Sequence, residues 1–143
     1  MSEADFKTKQ QKLIAMFDSA PIKHIFGMDL SYTDDNRAKF VLPYNRNFDH
    51  ALDGIHGGAI ATLADNAGWF TAAQYYDTWI ATVEFQVRLL KHVKQQTLIA
   101  TGKMVQQGKR IAVTEMEICI DDGTVVAIGS GTFVPTSASI EAW

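Results

Sequence analysis

Two short features of this sequence have residue types and spacing that suit chemistry. The first is Asp65, a lone carboxylate within the apolar run AIATLADNAGWFTAAQYY, residues 59–76. Burying an unpaired carboxylate costs several kcal/mol, roughly. Asp65 therefore lies at an exposed edge, is fixed by a buried hydrogen bond, or has its protonation tuned to act as a general base or nucleophile. The second is His56-Gly57-Gly58, where the same run begins. If a helix starts there, its free N–H groups and dipole attract an anion or a developing oxyanion. Glycines at 57 and 58 also let a substrate approach the backbone, although a glycine pair at a helix start serves turn geometry too. Asp65 lies about two helical turns beyond the glycines, so both features could face one cleft.

The elements that must hold these groups follow from patterning. Residues 58–75 combine strong helix formers with no proline and predict one long helix. Ile60, Leu63, Ala67 and Phe70 fall on one side of it. Gly58, Ala61, Asp65, Trp69 and Ala72 fall on another. Both sides are largely apolar or small, so both expect burial, one against a sheet and the other against a second subunit.

An amphipathic helix is predicted at residues 5–17, ending near Pro21, and strands at 28–33 and 37–42 with a turn at Asp34-Asp35-Asn36. A loop follows over 43–55. Four further strands are expected at 79–90, 96–105, 110–120 and 124–134, with turns at Gln107-Gly108 and Asp122-Gly123. No helix separates these four strands, which implies antiparallel pairing. The expected architecture is α+β, a sheet wrapped on one central helix, in a single domain over residues 1–143.

Composition narrows the function classes. The 143 residues are 47% hydrophobic and 20% charged, which describes a folded globular chain and argues against disorder. No apolar run approaches a membrane span, and the polar N-terminus lacks a signal sequence, so a cytoplasmic protein is expected. Cys119 is the single cysteine, and the four histidines show no metal-ligand spacing, so neither a disulfide framework nor a metal site is expected. The net charge is −3, yet six of the thirteen cations lie between Arg88 and Arg110, a stretch without an acid. That segment is either a local anion site or a pair of solvated strands. Nucleic acid is not expected as a partner of a net acidic chain.

The run HGGAIATLAD, residues 56–65, resembles the signature of PaaI-type acyl-CoA thioesterases of the hotdog fold. The resemblance extends over the early strands, the central helix, the strand at 81–89 and the Gln-Gly-Lys turn at 107–109. It implies a hydrolase of CoA thioesters, a homodimer or dimer of dimers, and no cofactor, since coenzyme A belongs to the substrate. In the family, Asp65 corresponds to the carboxylate that activates water or attacks the thioester. Gly57 corresponds to the glycine whose N–H polarises the carbonyl, and His56 to the histidine shaping that end. The site there lies between subunits, with the carboxylate of one chain facing the glycine of the other.

Thr82 aligns with a Ser or Thr that orients water, whereas strict alternation places it with Glu84 and Arg88, away from the apolar face. His50 stands where many members carry an Asn or Gln that contacts the carbonyl region, and a histidine can donate a hydrogen bond similarly; Lys91-His92 stands where Arg-Pro is common. Arg88, Lys91, Lys109 and Arg110 are the candidate cations for coenzyme A phosphates. Two rival functions share the fold: a non-catalytic acyl-CoA or lipid-binding protein, and an enoyl-CoA hydratase or dehydratase.

Overall fold

The computed structural model describes residues 1–140, so the last three residues of the expected 1–143 domain lie outside the described residues. The first helix, α1 (Glu3–Asp18), begins at a capping box. Ser2 Oγ accepts from the Asp5 N–H at 3.1 Å, and the Asp5 carboxylate accepts from the Ser2 N–H at 2.9 Å. Leu13 and Phe17 are its fully buried residues.

Pro21 does more than end this helix. It opens a second one, α2 (Pro21–Phe26), which the sequence reading did not foresee. Proline suits the first turn of a helix, where an N–H has no intrahelical acceptor. Gly27, at φ 71°, then closes α2 in the left-handed region.

The strands β1 (Asp29–Tyr32) and β2 (Ala38–Leu42) form the expected hairpin. The loop after β2 contains one 3-10 turn, Arg46–Phe48, and leads to the central helix α3 (Gly57–Ala73). Then come β3 (Thr78–Leu89), β4 (Leu98–Gln107), β5 (Ala112–Cys119) and β6 (Val125–Ser139). All six strands join one antiparallel sheet in the order β1-β2-β4-β5-β6-β3. This is the α+β hotdog arrangement, a curled sheet on one long helix. β6 runs past Pro135, where the sequence reading stopped it. Pro135 sits opposite Ile80, next to a register irregularity, the kind of place where a strand tolerates a proline.

The sheet approaches α3 very closely because the contact points are glycines. A Cβ on Gly102 would lie 2.4 Å from the Ala67 carbonyl oxygen, and one on Gly68 would lie 2.7 Å from Thr114 Oγ1. The helix side carrying Ile60, Leu63, Ala67 and Phe70 is buried, as its apolar spacing implies. The other side divides. Trp69 and Ala72 are buried within the chain, while Ala61 and Asp65 are half-buried and Gly58 is exposed.

Candidate active site

The loop from 43 to 56 fixes where α3 begins. Asp49 and Ile55 bridge across it, the Ile55 N–H donates to Val93 O at 2.9 Å, and the His56 N–H donates to Phe48 O at 2.8 Å. His56 is the N-cap residue of α3, and its Nδ1 accepts from the Gly58 N–H at 2.8 Å. The His56 carbonyl accepts from the Ala59 N–H at 3.0 Å. Four leading amides of a helix lack intrahelical partners. Here those of His56, Gly58 and Ala59 are provided for, which leaves the Gly57 N–H at the positive end of the helix dipole. His56 thus caps the helix, and the Gly57 N–H is the leading amide left without a partner.

Asp65 lies two turns further along α3, half-buried. Burial raises its carboxyl pKa from the ordinary value, and a hydrogen bond from Thr82 partly opposes that. The Thr82 hydroxyl donates to Asp65 Oδ1 at 3.2 Å. Thr82 therefore faces the helix, contrary to the phase that strict alternation gives. The cause is a bulge. Thr82 pairs with Phe133 and Glu84 with Thr132, so Val83 is the extra residue on β3. The inserted residue lets Thr82 share the helix face with Phe85, Val87 and Leu89, while Glu84 and Arg88 turn outward. Beside Asp65 and Thr82 opens a cavity of about 690 Å³, lined mainly by apolar and aromatic side chains.

His50 has both ring nitrogens engaged. Its Nδ1 accepts from the Leu52 N–H at 3.1 Å, so the neutral ring carries its proton on Nε2. That Nε2 meets His92 Nε2 at 3.3 Å, and the rings stack with centroids 5.4 Å apart. His50 is then the donor and His92 the acceptor. A sequence reading of His92 as only a replacement in an Arg-Pro position gave no sign of this partnership. Both rings lie over Gly54, where a Cβ would come within 2.0 Å of His92 Nε2.

The four candidate cations do not converge within one chain. Lys91 follows β3 on the loop whose Val93 carbonyl holds Ile55, at the Gly57 end of the helix. Lys109 and Arg110 lie in the β4–β5 turn, which the Tyr76 hydroxyl ties to the other end of α3 by donating to Gly108 O at 2.7 Å. Arg88 lines a groove of about 490 Å³ with Lys103, Glu115 and Glu117, on the sheet face turned away from α3. Gly57 and Asp65 do not share a cleft within one chain either. Eight residues at 1.5 Å rise separate them by about 12 Å along the helix.

The family model of the Thioesterase superfamily matches residues 53–127, which contain the capped helix, Asp65, Thr82 and the His92 loop. The chain belongs to the Thioesterase superfamily. It is a hydrolase of the hotdog thioesterase fold. It is similar to the protein named "Putative esterase Ta0293" of Thermoplasma acidophilum, with 27% identity over 82% of this chain and 97% of that one. A relative of the same description in Halobacterium salinarum is 25% identical over 81% of this chain and 85% of its own. Among solved structures, the E. coli PaaI protein from the phenylacetic acid degradation operon superposes with a TM-score of 0.82. That match has 22% identity and covers 92% of this chain and 95% of PaaI. A thioesterase of Haemophilus influenzae superposes with a TM-score of 0.79 at 15% identity, over 87% of this chain and 88% of that one. No helix among the described residues of this thioesterase is long and apolar enough to cross a membrane.

Proposed function

We propose that this thioesterase hydrolyses acyl-CoA thioesters as a homodimer, with Asp65 of one subunit and the partner subunit's Gly57 acting on one carbonyl. The observation that carries the reading is the half-buried Asp65 carboxylate, held by Thr82 beside an apolar cavity. In that setting Asp65 Oδ2 takes a proton from water, and the water oxygen attacks the thioester carbon. The carbonyl π electrons move to oxygen, where the partner subunit's Gly57 N–H stabilises the negative charge. When the C=O bond re-forms, the C–S bond breaks, and the departing thiolate receives the proton held on Asp65.

The need for a second subunit comes from distance. Gly57 and Asp65 of one chain are about 12 Å apart along α3, too far to share a carbonyl. The sheet also ends on β3, which has a strand neighbour on one side only. That edge strand bears Val83, 59% exposed, and Leu89, 55% exposed. An unpaired twelve-residue edge with exposed apolar side chains is a pairing site, and pairing with its own copy closes a twofold dimer. Lys91, at the Gly57 end, is the cation best placed to meet the phosphates of coenzyme A.

The direct test is thiol release from an acyl-CoA by Asp65→Asn. Asparagine keeps the shape and can still accept from Thr82, but it cannot take the proton. Turnover should fall by about 10²–10⁴-fold with the fold retained. Wild-type turnover in Asp65→Asn would end the assignment.

A further inference from the structure

The cavity beside Asp65 has a wall that the hydrolytic step alone does not require. Three segments surround it: the α1–α2 corner, the middle of α3 and the first half of β3. Phe17, Trp69, Phe70 and Trp79 form one aromatic cluster at the cavity wall, the first three almost wholly buried. The Trp69 ring lies 4.7 Å from both Phe70 and Trp79, and Phe17 lies 5.4 Å from Phe70. The Trp69 indole N–H is taken by the Ile80 carbonyl at 2.7 Å, so the tryptophan offers the cavity a hydrocarbon face. Asp65 and Thr82 stand together in the lining, whose other polar side chains are Ser19 and Asn66. Among the described residues that line the cavity, none is a cation.

The α1–α2 corner completes the wall with Met16 and Ile22. It is braced at several points. Lys23 joins Asp18 to Asp29, Ser19 Oγ donates to Met16 O at 2.8 Å, and the Ala20 N–H donates to Phe17 O at 2.9 Å. A braced corner of this kind is a fixed boundary.

We propose that the cavity holds the acyl part of the thioester, that this part is a bulky uncharged hydrocarbon, and that the α1–α2 corner limits its size through Ile22. The proposal rests on the thioesterase reading and adds the substrate class to it. A second carboxylate on the acyl group would enter an apolar site to which this chain contributes no cation, close to the like charge of Asp65. A very short acyl group would leave the aromatic lining unfilled.

The test compares kcat/KM for octanoyl-, phenylacetyl-, acetyl- and glutaryl-CoA in the wild-type protein and in Ile22→Trp. Ile22 is 38% exposed, so the larger ring can be built without disturbing the core. The wild type should favour octanoyl or phenylacetyl over both acetyl and glutaryl by about tenfold or more. The octanoyl and phenylacetyl arms separate an extended chain from a compact ring. Ile22→Trp should reduce that preference about tenfold. Equal use of glutaryl-CoA, or a preference untouched by Ile22→Trp, would overturn the proposal.

Calorimetric binding of the S-octyl-CoA thioether, which cannot be hydrolysed, separates the two levels. If Asp65→Asn keeps full thiol release while Ile22→Trp still weakens thioether binding, the catalytic assignment fails and the pocket stands. If Asp65→Asn abolishes release while Ile22→Trp changes neither selectivity nor binding, the pocket fails and the catalytic assignment stands.

Discussion

Thr82, on β3, donates its hydroxyl to Asp65 Oδ1 across 3.2 Å, and the bond opposes what burial does to the same carboxylate. Burial favours the neutral acid, and the hydrogen bond favours the anion. Thr82→Val removes the bond and leaves burial unopposed. The Asp65 proton is then held to higher pH, so the acid limb of the kcat/KM profile should move upward in pH relative to wild type. A pH–rate profile of both proteins checks this. A uniformly lower rate with an unmoved limb would mean that Thr82 only supports the shape of the site.

The same burial gives Asp65 a destabilising charge at neutral pH. Its folded carboxyl holds a proton above the ordinary value of 3.8, so protonation favours the folded state. That contribution is complete below the ordinary carboxylate range and is lost as pH rises through the raised folded value. Asparagine stays neutral throughout. Asp65→Asn should therefore melt above wild type at neutral pH, with the gap closing at acid pH below the ordinary range. Paired thermal melts at the two pH values measure it. A variant that melts lower at neutral pH would show that the charge is better compensated than its surroundings imply.

Much of this arrangement is written locally, and the rest depends on tertiary register. The central helix, expected at 58–75 and found at 57–73, and the glycines that open it are legible because helix propensity and apolar spacing agree. So is the hairpin at Asp34-Asp35-Asn36, where Asn36 takes φ 61°. Thr82 was not legible in its orientation, because the bulge at Val83 has no sequence mark and reverses the phase of all that follows. The His50–His92 pair joins residues 42 positions apart, and no local pattern links them. Trp69 and Phe70 are legible as aromatic side chains that could cap an acyl pocket, but the α1–α2 part of the cavity wall was hidden for a similar reason. Phe17 reads as part of the apolar face of an ordinary helix, and Pro21 reads as its end. Only packing shows that the proline turns the chain into α2 beside Asp65.

Gly54 tests the histidine pair. A Cβ there would lie 2.0 Å from His92 Nε2 and 2.7 Å from His50 Nε2, so Gly54→Ala must push the rings apart. The cost should be about 1–3 kcal/mol, the usual range for overpacking. Removing one ring makes room, so the same substitution should cost less in a His92→Ala background. A double-mutant cycle by denaturant unfolding reads this coupling. Additive costs would show that the two rings do not confine position 54.

The β3 edge tests the dimer. Val83 is 59% exposed and sits at the bulge, so Val83→Lys should leave the subunit folded while placing a charge on the pairing edge. Sedimentation should show a shift towards monomer, and thiol release should fall in step with the monomer fraction, although Asp65 and Gly57 are untouched. A monomer with full activity would show that one chain completes the site alone.

Gly57 allows the backbone donor to be removed by itself. Proline is tolerated at the first position of a helix, and His56, at φ −62° and ψ 135°, already has the extended conformation that a residue before proline needs. Gly57→Pro thus deletes one N–H without asking α3 to move. A Cβ at this position would meet Leu89 Cδ1 at 2.7 Å, the mobile end of a side chain that can turn aside. Gly57→Ala makes the same contact and keeps the N–H, which makes it the matched control. If the Gly57 N–H stabilises the oxyanion, kcat for Gly57→Pro should fall about 10²–10³-fold below that of Gly57→Ala, with closely matched melting temperatures. Equal turnover by the two variants would remove Gly57 from the chemistry, and would leave His56 as a cap that serves the helix alone.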